Sequence, residues 1–235
     1  MQKIALLTLL FCVPILGFGQ KTEYSVQVNS GLFRFGGESA TKTSDLILGS
    51  GQPGINYTHN PYGKKVGLCY GLAAQVQKVN SKNFIYGLQA GYETLRSKVA
   101  LKYAYSLVNY AMPIQVSGKT ILRHNFINAN PFVGKRFVLN NISLDFNAGL
   151  DFGYCLKSHE KGKATDNNGQ TYTSDRERDK PGLDTRGRLG LAAYYHQIGF
   201  TAGYSVGLKN YTPALEGLNR ANYARLIRFG LAYRI

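Results

Sequence analysis

The chain has 235 residues, a formal charge of +15, 27 glycines, 17 tyrosines and no tryptophan. That length suits one domain. No apolar stretch after the first twenty residues is long enough for a membrane-spanning helix, which excludes the helical class of membrane protein.

The N-terminus carries Lys3 and then an almost wholly apolar run from Ile4 to Leu16. Gly17-Phe18-Gly19 places small residues at the −3 and −1 positions of a cut before Gln20. The pattern predicts a secretory signal peptide over residues 1–19 and one β-barrel domain over residues 20–235. Cys12 lies inside the apolar run, without the small residues that a lipoprotein cut requires.

Strands follow in order. The first runs from Tyr24 to Phe35 and the second from Val66 to Gln77, whose even positions, Ala74 included, are apolar and whose odd positions are small or polar. The third is Phe84 to Glu93, and the fourth, less regular, lies near Ile121 to Val138. The fifth carries the clearest signal. From Ile142 to Leu156 every second residue is apolar, and Ser143, Asp145, Asn147, Gly149, Asp151, Gly153, Cys155 and Lys157 form the other face. A period of two over this length exceeds the usual strand of about five to six residues and matches a tilted membrane strand. The sixth covers Arg186 to Tyr195, the seventh Ile198 to Leu208, and the eighth Ile227 to Ile235. Mean hydropathy is only −0.21, as expected when alternate strand residues alone meet lipid.

The connections alternate in length. Short turns fall near Asn80-Ser81-Lys82, at Asn140-Asn141 and at His196-Gln197; long segments cover 36–65, 94–120, 158–185 and 210–222. The expected architecture is therefore all-β: an eight-stranded antiparallel transmembrane barrel with short periplasmic turns and long extracellular loops. Both termini then fall on the periplasmic side. A lipocalin-like exported barrel, apolar inside and polar outside, uses the same alternation and is the competing fold.

The turns fix pairs. A type I′ turn at Asn140-Asn141 sets Leu139 against Ile142 and Arg136 against Asp145. His196-Gln197 sets Tyr195 against Ile198. A three-residue turn at 80–82 sets Tyr70 against Tyr92. A lumen charge network is expected from Glu93, Arg136, Asp145, Asp151, Arg186, Arg188, Arg228 and Arg234. Within it Arg136 meets Asp145, and Arg188 partners Asp151. Phe132 faces Gly149 and Tyr194 faces Gly199, so rings fill the interior. Cys69 and Cys155 read as inward, unbonded thiols.

The run Asp175-Arg-Glu-Arg-Asp-Lys180 reads as a solvated loop in which Arg178→Ala is silent. Asn168-Gly169 marks a hairpin tip. Asp166-Asn167-Asn168-Gly169 lacks the spaced carboxylates of a calcium loop. The four histidines are scattered. Ser117 and His124 form the one nearby pair for a lipid-modifying rim enzyme, with no carboxylate close in sequence to orient them. No metal-ligand spacing, phosphate loop or nucleotide fingerprint is present, so no cofactor or metal is expected.

Pro131-Phe-Val-Gly-Lys-Arg-Phe137 before a tight turn, and Asn147-Ala-Gly-Leu-Asp-Phe-Gly-Tyr154 after it, resemble the small outer-membrane β-barrel (PorT-like, OmpA-like) family of Gram-negative bacteria. The resemblance implies residence in the cell outer membrane and a role as structural barrel, adhesin or accessory subunit of secretion and assembly machines. It supplies no catalytic residues. Phe229-Gly-Leu-Ala-Tyr-Arg-Ile235 is similar to the terminal strand read by barrel-assembly machinery, but closes on Ile235 where an aromatic is usual. The expected partners are outer-membrane lipid and lipopolysaccharide, the assembly machinery during biogenesis and a protein subunit met through the loops. No nucleic acid and no enzymatic activity are expected.

Overall fold

Alternate residues of an extended strand point to opposite faces, so each segment above must turn one face inward and the other outward. The computed structural model describes residues 21–49, 56–106, 112–212 and 221–235. The predicted signal peptide lies outside them. In chain order the strands are β1 (Lys21–Gly36), β2 (Thr43–Leu48), β3 (Tyr57–Thr58), β4 (Lys65–Val79), β5 (Phe84–Ser106) and β6 (Ile114–Leu139). There follow β7 (Ile142–Asp166), β8 (Thr171–Glu177), β9 (Leu183–Tyr195), β10 (Ile198–Gly207) and β11 (Tyr223–Arg234). Among the described residues, eight strands close a ring by antiparallel pairing: β1, β4, β5, β6, β7, β9, β10, β11 and back to β1. Each predicted strand falls on one ring strand, and β5, β6 and β7 run well past it at the loop end, to Ser106, Ile114 and Asp166. The described termini and the three short turns share one end of the barrel, here the turn end. The opposite end is the loop end.

The polarity of the wall is inverted relative to a water-soluble barrel. Outward positions hold Leu72, Val133, Leu189 and Leu231, each more than 60% exposed, while inward Asp151 and Arg186 are fully buried. The lipocalin-like alternative is thereby overturned, since it requires the apolar face inside. Tyrosine and phenylalanine ring the outside at two levels. Tyr24, Phe84, Phe137, Tyr195 and Tyr233 lie near the turn end, and Tyr70, Tyr92, Tyr154 and Tyr204 lie higher, all exposed. Such paired aromatic girdles mark the two interfaces of a lipid bilayer.

Above the upper girdle the pattern reverses. On β5 the outward residues pass from Leu88, Ala90 and Tyr92 to Arg96 and Lys98, while the inward ones pass from Gln89 and Glu93 to buried Leu95, Val99 and Leu101. On β6 the outward residues pass from Val133 and Ile127 to Arg123 and Lys119, and the inward ones from Asn130 to buried Phe126, Leu122 and Val116. The strands have left lipid, and water now selects for polar side chains outside and apolar ones inside. Two of the four expected loops are thus strand. β5 and β6 rise together through 94–106 and 114–120. β7 continues to Asp166 and turns back as β8, while β2 pairs in parallel with the top of β5. These segments form a cap around a second apolar core of Leu46, Leu101, Ala104, Val116 and Ala164.

Two local readings are corrected. The turn after β4 has three residues but lies at 81–83. Asn83 takes positive φ (62°), and the Asn80 carboxamide oxygen accepts from Lys82 N at 3.0 Å and Phe84 N at 2.8 Å. Tyr70 therefore faces Thr94, and Tyr92 faces Leu72. The Asn140-Asn141 turn has its expected length and register, yet only Asn140 has positive φ, whereas type I′ requires it at both positions.

Candidate functional site

The barrel interior holds ionisable groups in two tiers. Near the turn end, Arg136 donates to Asp145 at 2.6 Å and to Glu23 at 2.7 and 2.8 Å. Arg234 reaches the same two carboxylates at 3.2 and 3.3 Å, and its guanidinium lies 3.6 Å from the centre of the Tyr194 ring. Gln77 donates to Glu23 at 2.9 Å and to Asp145 at 3.2 Å. A layer of amides follows: Gln27, Gln75 and Gln89 bond to one another, and Arg188 donates to Gln89 at 2.6 Å.

The second tier lies toward the loop end. Arg228 bridges Glu93 and Asp151, each at 2.8 Å. Arg186 meets Glu93 at 2.6 Å, Asp184 at 2.7 Å and Asp151 at 3.6 Å. Asp184 in turn accepts from the Tyr211 hydroxyl at 2.6 Å. Burial, reinforced by the Asp184 carboxylate, holds the Tyr211 phenol well above its ordinary range and so protonated. Across both tiers the carboxylates of Glu23, Glu93, Asp145, Asp151 and Asp184 are matched in number by the guanidiniums of Arg136, Arg186, Arg188, Arg228 and Arg234. Buried charge is tolerated only when compensated this way.

All eight residues expected in the lumen face inward, and seven of them make ion pairs there. Arg188 does not partner Asp151. The register puts Arg186 beside Asp151, and the second partner, Arg228, reaches across the lumen from β11. Turn parity names a facing neighbour and is silent on such a diagonal. Glu23 and Asp184 were missed, although each continues an inward alternation, Glu23 before Ser25 and Gln27, and Asp184 before Arg186. Glu160 was hidden for a different reason. The β6–β7 register shifts between Asn125 and Phe126, where β7 has an extra residue. Lys157 turns outward and Glu160 inward.

The charge run Asp175–Lys180 is not a solvated loop. Its first half is β8, paired to β7. Arg178 binds the fully buried Glu160 at 2.6 Å and also donates to the Thr58 carbonyl. At the hairpin tip the Asp166 carboxylate accepts from Asn168 N, Gln170 N and the Tyr172 hydroxyl at 2.9 to 3.1 Å. Its oxygens serve the turn.

Above the second tier the mouth is filled by Phe33, Phe35, Leu95, Leu122, Phe126, Tyr211 and Leu226, with the free thiols of Cys69 and Cys155. His124 sits in this cluster, 1% exposed, against Phe35, Phe126 and Tyr211. Ser117 points outward from the same strand. The structure therefore does not bring His124 and Ser117 together. Phe132 faces Gly149 and Tyr194 faces Gly199. A Cβ on Gly199 would come 2.5 Å from the Tyr194 ring, so the ring needs that bare backbone. Among the described residues the lumen holds a cavity of about 20 Å³ beside Glu93 and Arg228 and another of about 20 Å³ between Gln77 and Arg188. Each has room for a water molecule.

A closed antiparallel ring of eight strands, an apolar belt between aromatic girdles and a charged, filled interior together define a transmembrane β-barrel. No protein-family model matches the chain, and no curated protein matches it. Among solved structures it is similar to Ail, the attachment invasion locus protein of Yersinia pestis, at 12% identity and a TM-score of 0.34, over 92% of this chain and 99% of that one. A major outer membrane protein of Thermus thermophilus gives 12% identity and 0.32, over 91% and 99%. The translocator domain of the autotransporter NalP from Neisseria meningitidis gives 10% and 0.31, over 100% and 95%. The assignment of class rests on the closed ring and its inverted polarity.

Proposed function

We propose that this chain is an integral protein of the Gram-negative outer membrane, plugged in its lumen, that works as a structural or partner-binding subunit through its extracellular cap. The observation that carries the reading is the reversal of side-chain polarity along β5 and β6. It gives one molecule a lipid-facing belt and, directly above, a folded water-facing cap. The turn end and both termini then lie in the periplasm, and the predicted signal peptide provides export. The terminal strand β11 closes the ring against β1 and is the segment offered to assembly machinery. Ion-pair tiers below and an apolar mouth above favour a plug over a pore. The opposed faces of Ser117 and His124 argue against the lipid-modifying alternative.

Fractionation tests the membrane reading. The protein should resist carbonate extraction and migrate faster unboiled than boiled, and release by carbonate would refute it. Purification in mild detergent should retain a protein partner. Loss of that partner on trimming residues 160–177 would place the contact on the cap.

A further inference from the structure

We propose that the outward face of β4–β7 just above the upper aromatic girdle binds the phosphate groups of outer-leaflet glycolipid. The inference rests on the outer-membrane reading above and names one partner and its site. Three pairs of cations stand directly opposite each other on this face: Lys65 against Lys98, Arg96 against Arg123, and Lys119 against Lys163. Facing side chains of like charge at a Cβ separation of about 5 Å oppose sheet pairing. Among the described residues, none of the six forms an ion pair with a carboxylate.

The neighbouring face contrasts with this. On β7 and β8, Lys157 meets Glu177 at 3.4 Å, Lys161 meets Asp175 at 3.4 Å, and His159 meets Asp175 at 2.8 Å. Neutralisation is built in there and absent on β5 and β6. An external anion is the missing partner.

Position identifies its source. Arg96 bends back onto the girdle, with its guanidinium 5.1 Å from the Tyr70 ring centre and donating to the Tyr70 hydroxyl at 3.1 Å. Tyr70 is the aromatic that marks the edge of lipid. Arg123 shares this level, Lys98 is one step higher and Lys119 two. Headgroups occupy a layer of about 5–8 Å beyond the hydrocarbon, so Arg96 and Arg123 stand at headgroup height, and Lys98 and Lys119 are rooted above it with flexible stems that reach down toward it. A phosphorylated glycolipid presents anions there while its acyl chains cover the apolar belt below.

The test uses full-length protein refolded into phosphatidylcholine nanodiscs containing either bisphosphorylated lipid A or its dephosphorylated form. The unfolding midpoint is read from the heat-dependent gel shift. Phosphorylated lipid A should raise the wild-type midpoint by about 4 °C or more. A variant carrying R96Q, K98Q, K119Q and R123Q should lose that rise while matching or exceeding the wild-type midpoint in phosphatidylcholine alone. K157Q with K161Q should keep the rise. An equal rise in the fourfold variant, or an equal wild-type rise with dephosphorylated lipid or with inorganic phosphate in phosphatidylcholine discs, overturns the proposal. Failure of the wild type to enter discs overturns the outer-membrane reading itself, a distinct result.

Discussion

Arg136 shows what a single buried charge does in this wall. It answers two carboxylates at once, so Arg136→Ala leaves Glu23 and Asp145 to share the longer-range cation Arg234. The expected loss is about 3–5 kcal/mol, read as a lower urea midpoint in phosphatidylcholine bilayers. Arg136→Lys should recover only part of it, because an ammonium cannot replace the fork that bonds both partners. Arg178→Ala should also destabilise, by about 1–3 kcal/mol, since it leaves the buried Glu160 carboxylate short of its cation. An unchanged midpoint would refute that pairing. The two cases differ in legibility. Arg136 and Asp145 are neighbours across a two-residue turn, so parity alone sets them opposite. The Arg178–Glu160 pair lies beyond a bulge, where parity counted from the turn points Glu160 to the wrong face.

At the scale of the element, a strand is readable while its environment stays constant along its length. The central run of β7 lies wholly in the belt, and its alternation is unbroken. β6 crosses from belt to cap, its apolar residues change sides partway, and a pattern averaged along it fades. For the same reason the upper parts of β5, β6 and β7 read as loop, and β8 was masked by its charges. Substitutions should respect the crossing. Leu150→Arg, in the belt, should cost about 2–4 kcal/mol, measured by the same bilayer titration. Lys163→Leu, at a water-facing position in the cap, should leave the midpoint nearly unchanged. Leu122→Asp should unfold the cap yet leave the heat-dependent gel shift, because it breaks the apolar mouth and spares the belt. Equal effects of Leu150→Arg and Lys163→Leu would refute the boundary drawn at the upper girdle.

For the molecule as a whole, the ion-pair tiers and the apolar mouth act in series. Wild-type protein in planar bilayers should show no steady large conductance, and such a current would refute the plug. Truncating Phe35 and Phe126 to Ala opens the mouth alone, so conductance should stay low as long as the lower tier of Glu23, Arg136, Asp145 and Arg234 holds. The polarity reversal along the strands has one more consequence. It works as a waterline on a hull, fixing how deep the barrel rides. Inserting two residues in each of β5 and β6 above Tyr92 and Ile127 keeps every face and only lengthens the superstructure. The same insertion below that mark raises the line on two strands alone, and the barrel must then list or thicken the membrane beside them.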